Sequence, residues 1–290
     1  MTDLSKLQTL TLHCSNPEVL RYAAANVHFK SLKRLVVYFE PDVRDEDFGP
    51  AAQMFFESLN PLTSLQLHGS LDDFSVTKIL DKHGGTLRKL AVETYNTKPS
   101  WTNFIPAMEI TPAAVLHIRN RCPLLESLGL RIKRLNCTSR ETQCYEALGT
   151  FPLVVKLFLT LEHCNTGNPD TVDESDDASN DFYKQLYSPD IAPPLYNAHI
   201  RNAIVNSDVD ETLARLIWCA ISINKKGRPL TRLTITNIRR STRSCHTIKT
   251  SLSLTRSQRD DSDHVEIVRL GKKGEENVDE IDRSHEAQMI

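Results

Sequence analysis

The chain has 290 residues, of which 40% are hydrophobic and 25% are charged, and its formal net charge is -2 at pH 7. This composition is typical of globular proteins and excludes both a fully disordered chain and a protein built of membrane spans. Neither a long apolar run nor a secretory signal is visible in the sequence, so we expect a cytoplasmic or nuclear protein without membrane partners. Seven cysteines, an odd number, favour reduced thiols.

A short pattern, apolar-x-x-Leu-x-apolar, recurs seven times and predicts one β-strand in each copy. Its last two positions alternate, as in a strand with one buried face, and its first position lies where the chain turns into that strand. The first six copies follow one another at intervals of 25 to 38 residues, and the seventh comes after a longer gap. The copies begin at Leu7, Leu32, Leu62, Leu87, Leu125, Val154 and Leu230.

Segments with helical patterns lie between the copies. Asn16-Pro17 and Thr111-Pro112 each place a capping residue before a proline, which favours a helix start, and Gly84-Gly85 favours a helix end. Ser207 and Asp208 are read as the start of an amphipathic helix. The predicted helices occupy residues 17–27, 73–83, 112–122, 139–148 and 209–225.

Each repeat is therefore predicted to be a helix followed by a strand. Such a unit buries both its faces only by stacking on neighbours, so we expect an α/β solenoid with parallel strands on a concave face and helices outside. The predicted divisions are an array over 1–164, an acidic and largely disordered insertion over 165–194, a further helix-strand repeat with closing strands over 195–270, and a polar tail over 271–290.

Helix-strand repeats of this length resemble the ribonuclease-inhibitor type of leucine-rich repeat. The stretches HGGTLRKLAVE, CPLLESLGLRI, HIRNAIVNSDVDETLARLIWCAI and KKGRPLTRLTI are similar to fungal F-box and leucine-rich-repeat proteins, and the resemblance covers roughly residues 4–270. It implies a substrate receptor of an SCF-type ubiquitin ligase, with the repeats holding the target. Only three residues precede the first repeat, so a ligase adaptor is expected as a partner only if an F-box lies upstream.

Signatures of enzyme and metal sites are absent from the sequence. It contains no G-x-S-x-G, P-loop, dinucleotide-binding, H-E-x-x-H or C-x-x-C motif. His13-Cys14 and His163-Cys164 offer imidazole and thiolate, but they lie on the first and sixth predicted strands, roughly 24 Å apart at about 4.8 Å per strand. We therefore predict no catalytic residue, no cofactor and no metal site.

The better candidates for function are the residues that alternate with the repeat leucines, because alternation turns them to the concave face. Several are Arg, Tyr, His or Phe, types that often contribute much of the binding energy of an interface. Together they predict a protein-binding face. The predicted partner-binding residues are Arg34, Tyr38, Gln66, His68, Lys89, Glu93, Arg131, Lys156 and Phe158.

Two alternatives remain open. Residues 225–259 carry ten bases and no acid, so a nucleic-acid-associated scaffold using Arg239, Arg240 and Arg243 is the second hypothesis. The run lacks interleaved aromatic residues for base stacking, and ion pairs with the acidic segments of the same chain are the favoured explanation of it. A hydrolase assembled from scattered His, Ser and Asp residues is the third.

Overall fold

The protein has an α/β fold with a predominantly parallel sheet. The computed structural model describes residues 4–39, 48–69, 71–94, 108–134, 139–163, 186–188, 195–196, 210–240, 247–256 and 265–270. The predicted acidic insertion lies outside these residues except for one short strand, and the predicted polar tail lies outside them entirely.

Nine strands form the main sheet, and they lie in the order of the chain once a separate two-stranded pair is set aside. The first six strands and β9 run parallel to one another, whereas β10 and β11 pair antiparallel beyond β9. The main-sheet strands are β1 Thr9–Cys14, β2 Arg34–Phe39, β3 Ser64–Gly69, β4 Lys89–Thr94, β5 Ser127–Arg134, β6 Lys156–His163, β9 Arg232–Arg240, β10 Thr247–Arg256 and β11 Val265–Leu270; the separate pair is β7 Leu186–Ser188 and β8 Leu195–Tyr196.

Six described α-helices connect or precede the parallel strands, and successive helices contact one another. They are α1 Pro17–Asn26, α2 Phe48–Ser58, α3 Asp73–His83, α4 Pro112–Arg121, α5 Ser139–Gly149 and α6 Glu211–Ile223. The side chains of Asn16 and Thr111 accept hydrogen bonds from backbone N–H groups in the first turns of α1 and α4, with proline at the start of each helix, which confirms both predicted helix starts.

The repeat leucines lie in register across the sheet and form the core. Leu35, Leu65, Leu90, Leu128, Leu157 and Leu233 align strand by strand, although 76 residues separate the last two along the chain. These leucines are buried in one apolar cluster with residues of the helices, such as Leu20, Phe55 and Val115. The seven predicted strands and their pairing are therefore confirmed, and the described helices cover one face of the sheet.

One helix start differs from the sequence prediction, and one helix was not predicted. The sixth helix begins at Glu211, because the Asp210 carboxylate, rather than Ser207, accepts a hydrogen bond from the Leu213 N–H; residues 207–209 lie outside the described part of the chain. Helix α2 was not predicted from the sequence. Helix α3 ends at His83, before Gly84-Gly85, as predicted; Gly84 continues into a 3-10 turn, where a Cβ would lie 2.5 Å from the Arg121 carbonyl oxygen.

Candidate binding surface

The sheet has a second face against which no described helix packs, and we call it the helix-free face. Its side chains are those that alternate with the core leucines, and the strand register aligns them in three rows. The pairing of β4 with β5 ends at Val92 and Leu130, and Glu93 and Arg131 are the next residues of these two strands. The amino-terminal row comprises Thr9, Arg34, Ser64, Lys89, Ser127, Lys156 and Arg232; the middle row Thr11, Val36, Gln66, Ala91, Gly129, Phe158 and Thr234; and the carboxyl-terminal row His13, Tyr38, His68, Glu93, Arg131, Thr160 and Thr236.

Three aromatic rings form a stack in the carboxyl-terminal row. The ring centroids of His13 and Tyr38 are 4.4 Å apart and those of Tyr38 and His68 are 4.6 Å apart, with nearly parallel planes. The stack forms because these residues occupy the same register position on adjacent parallel strands, about 4.8 Å apart. Beyond it, His68 Nδ1 lies 3.5 Å from a Glu93 carboxylate oxygen, and His68 Nε2 lies 3.4 Å from Gln66 Oε1. The rings of His13 and His68 therefore cover both faces of the Tyr38 ring.

An ion pair connects Arg131 of the carboxyl-terminal row on β5 with Glu162, two residues beyond the row on β6. Arg131 Nε donates a hydrogen bond to Glu162 Oε2 at 2.9 Å, and Arg131 Nη2 lies 2.9 Å from Glu162 Oε1 in an ion pair. The Arg131 side chain is only 5% exposed, and that of Glu162 is 17% exposed. Charge-assisted hydrogen bonds are among the stronger hydrogen bonds in proteins. This pair therefore fixes β5 to β6 on the helix-free face.

The middle row has a shallow depression at its centre, where Gly129 lies between Ala91 and Phe158. This residue has no side chain, and the Phe158 side chain on the neighbouring strand forms a small apolar cluster with Ala91, two strands away. A Cβ on Gly129 would lie 3.1 Å from the Ala91 Cβ and 3.8 Å from the Phe158 Cβ, which is tight on the Ala91 side. Phe158 is therefore buried against Ala91 on the helix-free face.

The amino-terminal row is cationic. Arg34, Lys89 and Lys156 occupy the same register position on alternate strands, with Ser64 and Ser127 between them. Burial lowers the pKa of the Lys89 amine, and the positive charges of Arg34 and Lys156 lower it further, whereas Glu126 opposes the shift. The row therefore brings three cationic side chains onto one line across the sheet.

The nine residues predicted to bind a partner all lie on the helix-free face, but they differ in exposure. Lys156 is exposed, and Arg34, Tyr38, His68, Lys89 and Glu93 are partly exposed. Gln66, Arg131 and Phe158 are buried, so the expectation of an open surface does not hold at these three positions. Glu162 and Arg232 were missed. The repeat register indicates both, since it places Glu162 opposite Lys133, two residues after Arg131, and Arg232 in the seventh copy's equivalent of Lys156.

The described part of the chain also bears on the remaining candidates. No group of three or more His, Cys, Asp and Glu residues suited to a metal ion occurs among the described residues. Burial raises the pKa of Cys122 to about 12 and that of Cys144 to about 11, so neither is a thiolate nucleophile at neutral pH. None of the described helices is long and apolar enough to cross a membrane.

The basic run of residues 225–259 is only partly described. The Lys225 amine donates a hydrogen bond to the Phe151 carbonyl oxygen, and burial lowers its pKa to about 8. This lysine therefore has a structural contact at the end of a loop. The side chains of Arg239 and Arg240, and all of Arg243, lie outside the described residues.

A scan against protein-family models and a search of curated proteins found no match to this chain.

Proposed function

We propose that this protein is a non-enzymatic protein-binding module that holds its partner on the helix-free face. The observation that supports this most directly is the set of three registered side-chain rows across seven parallel strands, a wide surface against which no described helix packs. It combines charged, aromatic and small residues, the mixture found where a few anchors contribute most of the binding energy.

We also propose that the helix-strand units form a curved solenoid of the leucine-rich-repeat type. Strands in a sheet are about 4.8 Å apart, whereas a helix with its side chains is roughly 10 Å wide. Successive helices here contact one another on one face of the sheet. Because helices need more room than strands, continuous stacking favours a bend that makes the helix-free face concave, and a concave face surrounds a partner on several sides.

The resemblance to fungal F-box and leucine-rich-repeat proteins supports a more specific role, the recognition of substrates for an SCF-type ubiquitin ligase. In that role the helix-free face would hold the substrate, and an F-box would recruit the ligase adaptor. A search for an in-frame F-box in the genomic sequence upstream of Met1, followed by co-purification of the resulting chain with a ligase adaptor, tests this role separately from binding by the face.

Site-specific photo-cross-linking in cells tests the proposed binding face. The photoreactive residue replaces His13 or Lys156, which are exposed on the helix-free face, or Met54 or Leu216, which are exposed on helices α2 and α6. We expect one identified protein to be cross-linked from both face positions and from neither helix position. The cross-linked partner, once purified, should bind this protein directly. The Tyr38→Ala variant should weaken that binding by at least about tenfold, as expected for an aromatic anchor.

Two results contradict the proposal. The first is cross-linking of protein only from the helix positions, which moves the interface to the outer surface. The second is cross-linking of nucleic acid rather than protein from the face, which favours the alternative of a nucleic-acid-associated scaffold. Thermal unfolding of each substituted chain, compared with the parent, shows that the fold is retained in every arm.

A further inference from the structure

Helix α6 has a second apolar side in addition to the side that it buries in the core. The core side comprises Ala214, Ile217, Trp218 and Ile221. On the opposite side of the helix, Leu216, Cys219 and Ile223 are all exposed. A surface helix normally presents one apolar stripe to the core and polar residues to solvent. The exposed stripe departs from this pattern, and exposed apolar patches of this kind mark contact surfaces.

The exposed stripe has the spacing of a helix-packing seam, and we call it the α6 stripe. Its members are separated by four, three and four residues, and they are Thr212, Leu216, Cys219 and Ile223. This alternation is the one by which two helices interlock their side chains along a shared seam. No described helix follows α6, although β10 and β11 continue the sheet beyond β9. Within the described part of the chain, α6 therefore ends the helix layer with its stripe facing solvent.

The two ends of α6 carry opposite charges. Asp210 and Glu211 lie at its amino-terminal end. Lys226 and Arg228, which are both exposed, follow its carboxyl-terminal end. Glu211 Oε1 accepts hydrogen bonds from Arg215 of the same helix, but this contact is exposed and does not enclose the carboxylate. An antiparallel copy of α6 brings each acidic end next to a basic end, whereas a parallel copy brings like charges together.

We propose that the protein forms a dimer with a second copy of itself through antiparallel packing of two α6 helices about a two-fold axis. In this dimer Leu216 packs against Cys219 of the second copy, and Glu211 lies next to Lys226 of the second copy. The same patch serves both copies, so each contact occurs twice. One pair of 13-residue helices buries less surface than a permanent dimer does, so the dimer is reversible, with a Kd of about 1 to 100 µM.

Sedimentation equilibrium of the full chain, from about 1 to 200 µM, tests the dimer. We expect a monomer–dimer equilibrium that Leu216→Asp and Ile223→Asp each weaken at least about tenfold, because each variant places a carboxylate in an apolar contact. Tyr22→Asp is the matched control, since Tyr22 is 64% exposed on α1 and Leu216 is 62% exposed on α6. The control variant should leave the dimer unchanged. Thermal unfolding of the separate chains shows that each variant retains the fold.

An exchange of charges tests the antiparallel orientation. Glu211→Lys and Lys226→Glu should each weaken the dimer at least about threefold at low ionic strength, since each places like charges side by side across the interface. The double variant Glu211→Lys with Lys226→Glu should recover the affinity of the parent, because both pairs are restored with their signs exchanged. A parallel pair of helices does not give this recovery.

Cys219 provides a direct measurement of proximity. Packed helices lie about 8 to 10 Å apart, so the two Cys219 thiols of the dimer lie within reach of a short bismaleimide. Cys14, Cys122 and Cys144 are buried, whereas Cys219 is exposed. We expect a covalent dimer from the parent chain at concentrations above the Kd, and none from Cys219→Ser, which retains every other cysteine.

Three outcomes overturn the proposal: a monomer at every concentration, a dimer that Leu216→Asp and Ile223→Asp both leave intact, or no recovery in the charge-exchanged double variant. The proposed function fails separately, because it depends on the helix-free face of the sheet. A photoreactive residue at position 216 should cross-link a second copy of this chain, whereas one at position 13 or 156 should cross-link the partner. Each of these results stands without the other.

Discussion

His83 shows how a single buried side chain makes this fold sensitive to acid. It lies at the end of helix α3 and is fully buried, with its ring edge against Phe56 and Nε2 3.1 Å from the Phe56 carbonyl oxygen. Among the described residues no group hydrogen-bonds its Nδ1. Burial disfavours the charged imidazolium more than the carbonyl stabilises it, which lowers the pKa of His83 to about 4 from 6.5. The neutral ring links α3 to α2.

We therefore predict that the free energy of unfolding falls as pH decreases from 6.5 to about 4. In this range the unfolded chain binds a proton at position 83 and the folded chain does not, so the contribution is present above pH 6.5 and lost below about pH 4. The loss should approach about 3 kcal/mol. Urea unfolding at pH 7, 5.5 and 4.5 measures it. His83→Gln should flatten the dependence, whereas His28→Gln, at an exposed position, should not; identical slopes for all three chains would exclude His83 as the cause.

At the scale of helices and strands, local signals in the sequence predict some elements and leave others hidden. The Asn-Pro and Thr-Pro caps act within one turn, so α1 and α4 could be located from a few residues. Helix α2 contains Gly49-Pro50 in its first turn, which indicates a loop when read alone. Its signal was the helical spacing of Phe48, Ala51, Ala52, Phe55 and Phe56, all of which are buried.

Burial on the helix-free face could not be predicted from alternation. The alternation of side chains along β5 assigns Arg131 to that face, but it does not show which side chain of the next strand contacts Arg131. The structure pairs it with Glu162, so a residue expected to bind a partner also connects two strands. The contact cannot be seen in the sequence because its two residues are far apart along the chain. It becomes apparent only once β5 and β6 are paired in register.

The Arg131–Glu162 pair should stabilise the fold far more than the exposed pair between Arg88 and Glu126. Arg131→Met leaves a largely buried carboxylate without its main partner, and we expect a loss of about 3 kcal/mol in the free energy of unfolding. Arg88→Met breaks an ion pair whose two side chains are 61% and 38% exposed, so it should cost less than about 1 kcal/mol. Urea unfolding of both variants measures the difference. Arg131→Met with Glu162→Gln should recover part of the loss, and equal costs at the two sites would contradict this role.

For the molecule as a whole, the sequence was sufficient to predict the strand order, because the same leucine positions recur and fix the register. The predicted order held even between Leu157 and Leu233, which lie 76 positions apart in the chain. The directions of β10 and β11 were not predicted, since alternation is the same in parallel and antiparallel strands. The chemistry of the helix-free face was only partly predictable, because it depends on side chains brought together from several strands.

The same architecture predicts that stability varies along the sheet. Each helix-strand unit contacts its neighbours, so a unit at an end has fewer contacts than a unit in the middle. Leu10 and Leu12 of the edge strand β1 are partly exposed, whereas Leu128 and Leu130 of β5 are fully buried. Native-state hydrogen exchange should therefore show amides of β1 and α1 opening at lower free energy than those of β4 to β6.

A pair of core substitutions makes this last prediction decisive. Leu20→Ala in α1 and Leu128→Ala in β5 each truncate a leucine with no exposed surface, so each should remove about 2 to 5 kcal/mol of local packing. If end units open separately, Leu20→Ala lowers protection in α1 and β1 and leaves β5 and β6 nearly unchanged, because their exchange does not require that opening. Leu128→Ala, in contrast, should lower protection on both sides of β5. A uniform loss of protection after Leu20→Ala would show that the sheet and its helices unfold as one cooperative unit.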